Sequence, residues 1–207
     1  MDLQDHGRAR RIPATPLRRV PPDELPPRMR AAWQTSTAQR GDATFIETAG
    51  VAPDMFDWYR DFYARVFYGG RVPVRIKELV RLRLSTVHGC AYCNRGNRLD
   101  ARAAGLDENR IRAIDDHEHG PYSDDERAAL AFADQVALGN PGGRLDESLH
   151  RRLREHFDDA EIFELGMTMA VLTGMAKFLF VCDLVEREPW CEFGGPPDPG
   201  DPGGGDR

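Results

Sequence analysis

The residues most able to do chemistry lie in the segment HGCAYCNRGN, at positions 88–97. It contains Cys90 and Cys93, two of only four cysteines in the chain. The pair could be two half-buried thiols without a role, half of a structural zinc site, or a dithiol that cycles with a disulfide. Zinc usually requires a second ligand pair at similar spacing, whereas Cys182 and Cys191 are nine residues apart. The spacing disfavours zinc, and we expect neither a metal nor a cofactor.

The redox interpretation depends on where the pair lies, at the start of a predicted helix. A cysteine there faces unpaired backbone N–H groups and the positive end of the helix dipole, and both favour the thiolate. The thiolate is the nucleophile toward a peroxide O–O bond or a disulfide. A second thiol three residues away can then convert the resulting sulfenic acid into a disulfide. Cys93 and Cys90 are therefore the first candidate catalytic residues.

Glu78 is the next candidate, twelve residues ahead of the first cysteine and in the preceding predicted helix. If the chain turns into a helical hairpin at Gly89, Glu78 faces the second helix near positions 97–100. A carboxylate there could orient or charge a base at position 97, one helical turn past the second cysteine. The alternative is a surface ion pair with Arg75 or Arg81, each three residues from Glu78. The spacing leaves both interpretations open.

The elements that must position these residues are all helical. Apolar residues recur at helical spacing and no stretch alternates as a strand does, which predicts a single all-α domain. Ser123 with Glu126, and Asp158 with Glu161, form capping boxes that mark helix starts. The predicted helices cover residues 22–37, 53–67, 74–87, about 90–104, 128–138, 145–157 and 158 to about 185.

The longest apolar stretch, residues 162–185, predicts a buried helix. Glu164, Lys177 and Asp183 interrupt it, which counts against a membrane span. It is apolar on nearly all sides, more than one domain of 207 residues readily buries, so we expect a homo-oligomer. The net charge of −6 gives no support to a nucleic-acid partner.

The ends of the chain differ in composition from its middle. Residues 1–20 are basic and proline-bearing and predict a flexible arm, residues 21–188 form the helical domain, and residues 189–207 predict a disordered Pro/Gly/Asp-rich tail. No secretory signal is visible, so we expect a cytoplasmic protein with reduced thiols and no membrane partner. Cys182 is expected in the core, and Cys191 as an incidental thiol.

The segment KELVRLRLSTVHGCAYCNRGN resembles the signature of the carboxymuconolactone decarboxylase superfamily, in its alkylhydroperoxidase D-like branch. Downstream helices from YSDDERAALAFADQ onward fit as well, and the resemblance spans roughly residues 20–187. It implies an all-helical fold that assembles into oligomers, often trimers or hexamers. In peroxidase-type members a glutamate and a histidine relay a proton that activates the second cysteine. Glu78, Cys90 and Cys93 match that pattern.

The sequence departs from the pattern at the relay histidine, whose place holds Asn97. Some members also carry a histidine between the cysteines, and Tyr92, a common variant, stands there in this sequence. An asparagine amide can orient a water molecule but cannot take up a proton near pH 7. His88 is a possible substitute base, but a helix C-terminus favours the imidazolium and would raise its pKa, which suits a charge partner better. The alternative for His88 is a capping or surface histidine.

Three functions follow. The leading hypothesis is a thiol-dependent peroxidase or disulfide oxidoreductase, with a peroxide or disulfide substrate and a thiol reductant, weakened because Asn97 replaces the relay histidine. The second is a decarboxylase of aromatic degradation, which the paired cysteines disfavour because that chemistry needs no dithiol. The third is a non-catalytic ligand-binding or assembly protein on the same fold, which Asn97 favours and the intact Glu78, Cys90 and Cys93 oppose.

Overall fold

The computed structural model describes residues 11–193, and within them every regular element is helical, which confirms the all-α prediction. The described residues form nine α-helices, joined by a π-helical turn at Tyr63–Phe67 and a 3₁₀ turn at Ala113–Asp116. The α-helices are α1 (Pro27–Arg40), α2 (Thr44–Ala49), α3 (Pro53–Phe62), α4 (Val74–Val87), α5 (Ala91–Ala103), α6 (Glu108–Arg112), α7 (Asp124–Val136), α8 (Glu147–Arg154) and α9 (Asp159–Val181).

Most helix starts follow from local sequence. α4 has the predicted bounds, and the Asp158–Glu161 capping box begins α9, with Glu161 N–H donating to the Asp158 carboxylate at 2.8 Å. The predicted start of α1 is wrong, because the helix begins at Pro27 and not at residue 22. Pro26 precedes another proline, which excludes it from the helical region, and its backbone is extended at φ −52° and ψ 148°.

α4 is the central helix of the fold and is buried on most sides. Ile76 and Val80 pack against α7, α8 and α9, whereas Leu79 and Leu82 pack against α5, α6 and α7. Its broad apolar stripe is explained by these two cores, one on each side. A rigid α4 therefore fixes the position of the turn that follows it.

That turn between α4 and α5 needs a glycine. Gly89 has a left-handed φ of +67°, and a Cβ added there would lie 2.7 Å from the Cβ of Cys191. The segment after α9 packs over the turn: Glu188 N–H donates to Gly89 O at 2.8 Å, and Tyr92 N–H donates to Glu186 O at 3.3 Å. The cysteine pair is thus held between two helices and the C-terminal part of the described chain.

The predicted division into an arm, a domain and a tail stays a prediction, since residues 1–10 and 194–207 lie outside the described residues. The described part of the arm contacts the domain. Arg11 pairs with Asp183 at 3.0 Å, and Val20, which is buried, donates its N–H to Glu47 O at 3.0 Å.

α9 is long and apolar enough to cross a membrane by length and composition. One side of it packs in the core, where Leu165 and Met169 are fully buried and Glu164 pairs with the buried Lys77 of α4 at 2.6 Å. The other side exposes large apolar side chains at helical spacing, which are Phe163, Met167, Phe178 and Val181. Packing within the described residues covers only part of this helix.

Candidate active site at the Cys90–Cys93 pair

Cys90 and Cys93 form a disulfide, with Cα atoms 5.2 Å apart. Cys90 is the N-cap of α5, and its sulfur accepts the Cys93 N–H at 3.2 Å. Its side chain is fully buried, whereas that of Cys93 is only partly buried, and both line a cavity. Cys93 is therefore the sulfur that a molecule in the cavity reaches more easily.

Glu78 is buried and belongs to a series of ion pairs that links α4 to α5 and α1. Its carboxylate accepts from Arg81 Nη2, and the same nitrogen donates to Asp100 of α5 at 2.9 Å. Asp100 also pairs with Arg40 of α1 at 3.5 Å. The ion pair that sequence spacing allowed is thus formed with Arg81, but it is buried and not on the surface, while Arg75 pairs with two acidic residues of α7.

Burial and the ion pair with Arg81 change the chemistry that Glu78 can do. Burial raises the pKa of Glu78, although the Arg81 guanidinium works in the opposite direction. Arginine cannot accept a proton, so Arg81 cannot relay the proton of a thiol to Glu78. Asn97 is buried and directs its amide Nδ2 toward Arg81 O at 3.5 Å, a long contact. Both residues help join α4 to α5, Glu78 through Arg81 and Asp100, and Asn97 through its contact with Arg81 O. Their part in catalysis stays a prediction.

His88 differs from the expectation of a charged imidazole. It caps the C-terminus of α4, but it is buried and its Nε2 accepts the Leu138 N–H at 3.0 Å. Burial lowers the pKa of His88 to about 4, so the prediction of a raised pKa is wrong. Loss of hydration outweighs the helix dipole, because the loop after α7 covers the ring. Its Nε2 lone pair is already used and is not free to take a proton from Cys93.

Tyr92, between the two cysteines, ties α5 to α1. Its hydroxyl and Ser36 Oγ are 2.6 Å apart, and the Arg40 guanidinium lies 5.3 Å from the centre of its ring. Burial raises the pKa of Tyr92, which keeps the hydroxyl neutral. Its role here is to hold the wall of the cavity next to the disulfide.

The cavity beside the disulfide measures about 770 Å³ and extends between α1, α3, α4, α5 and α9. Of the predicted site residues, Cys90, Cys93, Tyr92, Asn97 and His88 line it, while Glu78 lies behind Arg81. Sequence reasoning missed the aromatic and arginine side chains that complete the wall, which are Phe45, Phe56, Tyr59, Tyr63, Tyr68, Arg28, Arg40, Arg60 and Arg81. Their only sequence signal was the aromatic spacing of α3, which also fits an ordinary core face.

The other two cysteines lie close by. Cys182 caps α9, and Cys191 donates its S–H to His88 O at 3.0 Å. Both pack in the apolar cluster around the disulfide. Burial raises the pKa of Cys191, whose side chain packs against the turn at Gly89. That Cys191 takes no part in the chemistry stays a prediction. Across residues 11–193 no group of three or more His, Cys, Asp or Glu side chains is arranged to hold a metal ion.

A helical fold with a CxxC at a helix start is the arrangement that the resemblance to alkylhydroperoxidase D-like proteins implies. Residues 53–135 match the model of the carboxymuconolactone decarboxylase family, which confirms the predicted superfamily. Uncharacterized protein YdfG of Bacillus subtilis is 36% identical over 90 residues, covering 43% of this chain and 60% of that protein. Uncharacterized protein YnjA of Escherichia coli is 26% identical over 110 residues, covering 53% and 59%. The chain thus spans about three fifths of these relatives.

Solved structures share the fold. An uncharacterized peroxidase-related protein from a Silicibacter species has a TM-score of 0.68 at 14% identity, covering 84% of this chain and 92% of that one. The debrominase Bmp8, in complex with 2,3,4-tribromopyrrole, has a TM-score of 0.64 at 20% identity, covering 82% and 89%. A protein of unknown function from Agrobacterium tumefaciens, a putative antioxidant defence protein AhpD, has a TM-score of 0.57 at 26% identity, covering 65% and 91%.

Proposed function

We propose that this protein is a thiol-dependent oxidoreductase that reduces an organic hydroperoxide or a disulfide with the Cys90–Cys93 couple. The observation that carries the proposal is the disulfide itself, placed at the N-terminus of α5 and facing a cavity. Membership of residues 53–135 in a family with peroxidase-related neighbours supports it. A cytoplasmic location, which we also propose, would supply the reducing thiols.

The reaction begins with the more accessible sulfur. The Cys93 thiolate attacks the peroxide, the O–O bond breaks, and an alcohol leaves after taking up a proton. The Cys90 thiol then attacks the Cys93 sulfenic acid, releasing water and forming the disulfide. Two electrons pass from the dithiol to the hydroperoxide, and an external dithiol returns them. With a disulfide substrate, the same thiolate forms a mixed disulfide that Cys90 resolves.

Thiolate formation in this site depends on the helix and not on a base. A positioned general base typically contributes about 10²–10⁴-fold, and neither Asn97 nor the neutral His88 supplies it. The backbone N–H groups and dipole at the start of α5 remain. We therefore propose a slow peroxidase whose pH profile follows the thiol and not a histidine.

Mild oxidation tests the proposal. The fully reduced protein, treated with one equivalent of cumene hydroperoxide, should lose two thiols per chain, release cumyl alcohol and gain the Cys90–Cys93 linkage. Non-reducing peptide mapping should find that linkage, and dithiothreitol should remove it. Loss of thiols without alcohol, or a linkage through Cys182 or Cys191, would contradict the proposal. No reaction at all would favour the ligand-binding alternative, which the Glu78–Arg81 pair already suits.

We also propose a homo-oligomer, with the exposed face of α9 as its interface. That face carries Phe163, Met167, Phe178 and Val181. Phe163 and Val181, at its two ends, are 70% and 71% exposed. Burying such a face is favourable by roughly 25 cal/mol per Å² of apolar surface. A second copy is the natural occupant, since the resemblance implies trimers or hexamers.

Light scattering checks the assembly. We expect a mass that is a multiple of the 23.3 kDa chain at micromolar concentration. Phe163→Glu with Val181→Glu should reduce it toward the monomer, because charges placed in an apolar interface lose their hydration. Leu145→Glu is the matched control, since Leu145 is also exposed but lies before α8. A monomeric mass for the unmodified chain, or no effect of the double change, would exclude this interface.

A further inference from the structure

The size of the cavity beside Cys93 sets a lower bound on its ligand. At about 770 Å³ it is far larger than hydrogen peroxide and falls in the range of roughly 300–1,000 Å³ typical of sites for organic ligands. A small peroxide would leave most of the space to water. The cavity therefore fits an organic molecule with one or two rings.

Its walls favour a flat ligand. Tyr59 and Tyr63 meet edge to face with ring centres 5.2 Å apart, and Phe45 meets Tyr59 in the same way at 6.0 Å. Within the described part of the chain, the hydroxyls of Tyr59 and Tyr63 have only each other as partners, at 3.4 Å. Burial raises the pKa of Tyr59, so its hydroxyl stays a neutral donor. Aromatic rings pack best against other rings in stacked or edge-to-face contact.

The charges at the wall decide between a cation and an anion. Aromatic side chains alone would also suit a cationic ligand. Of residues 11–193, however, four arginines line this cavity against one carboxylate, that of Asp100. Even when Glu78 and Asp57, which pair with two of the arginines, are included, four positive charges meet three negative ones. The excess of positive charge favours an anion.

Arg81 is the anchor that the anion would use. It is only 6% exposed, and both of its hydrogen bonds to carboxylates come from Nη2. Among residues 11–193, neither its Nε nor its Nη1 has a hydrogen-bond partner. The guanidinium lies over the rings of Tyr63, at 5.8 Å, and Phe67, at 4.9 Å. A buried arginine with unused donors is an incomplete hydrogen-bond arrangement that a ligand can complete.

We propose that this cavity binds a planar aromatic anion, a carboxylate or phenolate, with its acidic group on Arg81 and its ring against Tyr59 and Tyr63. The proposal deepens the proposed function, on which its role as a substrate site rests, because the same molecule would bring its reducible group to Cys93. The binding itself needs no turnover. It is therefore tested on the disulfide form, where failure of binding and failure of the redox chemistry are separate results.

The test is isothermal titration of the disulfide form with 2-naphthoate and with the neutral 2-naphthamide, at pH 7.5. We expect naphthoate to bind at least about tenfold more tightly, since a hydrogen bond to a charged group is worth that factor or more. Equal affinity for both probes would overturn the proposal. So would the absence of binding of naphthoate at concentrations up to about 1 mM.

Variants locate the anchor. Arg81→Met should remove the preference for naphthoate, whereas Arg112→Met, on the exposed end of α6, should keep it. Because Arg81→Met leaves the Glu78 carboxylate buried without a partner, Arg81→Met with Glu78→Gln is the variant to use if the single change unfolds. Tyr63→Leu should weaken both probes alike. A preference for naphthoate that survives the loss of Arg81 would overturn the assignment of the anchor.

Discussion

Cys93→Ser should abolish catalytic reduction of hydroperoxide, with a loss of at least about 10³-fold in rate. The reason is that a serine hydroxyl has no adjacent base here to make it a nucleophile, since His88 and Asn97 are both engaged with backbone groups. The measurement is the consumption of cumene hydroperoxide with dithiothreitol as reductant, after subtraction of the rate without protein.

Two matched variants separate chemistry from packing. Cys182→Ser changes a thiol in the same apolar cluster and should leave the rate within about twofold, as expected for a thiol outside the reaction. Cys90→Ser should still be oxidised once, at Cys93, and should accumulate a sulfenic acid that dimedone traps. If Cys90→Ser instead prevents the first oxidation, the order of the two cysteines is reversed. Activity that persists in Cys93→Ser would exclude the proposed chemistry altogether.

The parts of this site that sequence could predict are local ones. The spacing of Cys90 and Cys93 and the glycine before them depend only on one helix start, and α4 carries its apolar pattern within fourteen residues. The pairing of Glu78 with Arg81 was one of two interpretations that the spacing allowed. Its burial was not predictable, because it requires Arg40 and Asp100 to arrive from α1 and α5.

The cavity was beyond prediction for the same reason. The tyrosines of α3 and its π-helical turn have the helical spacing of a core face, and only the tertiary arrangement turns them toward the cysteines. The short helices α2 and α6 were missed because they are too brief to show an apolar period. Helix starts were better predicted, since a capping box such as Asp158 with Glu161 is complete within one turn.

His88 shows how a correct local rule can lose to a tertiary effect. Its position at the C-terminus of α4 favours the imidazolium, and that led to the expectation of a raised pKa. The helix dipole is worth typically 0.3–1 kcal/mol at an exposed site, in order of magnitude. Burying the ring under Leu138 costs the charged form more than that, and the pKa falls to about 4.

The lowered pKa of His88 predicts a loss of stability in acid. Between about pH 6.5 and pH 4 the unfolded chain binds a proton that the native ring does not, so the free energy of unfolding rises with pH in this window. The contribution is complete above pH 6.5 and is lost as the pH falls toward 4. A difference of this size between the pKa values of the unfolded and the native ring corresponds to roughly 3 kcal/mol in the free energy of unfolding. Between pH 7.5 and pH 4, we expect the free energy of unfolding of His88→Gln to fall by about that much less than that of the unmodified protein.

Glutamine suits this comparison because its side-chain oxygen can still accept the Leu138 N–H, so the turn before the cysteines keeps its hydrogen bond. Urea unfolding at a series of pH values gives the free energies, and His150→Gln, at an exposed position, is the control. Carboxylates with lowered pKa, such as Asp134 and Glu164, add to the acid loss in every variant and cancel in the difference. Parallel curves of the free energy of unfolding against pH for His88→Gln and the unmodified chain would mean that His88 becomes protonated in the folded state. Its Nε2 would then no longer accept the Leu138 N–H, and His88 would again be a candidate for a group that acts on Cys93.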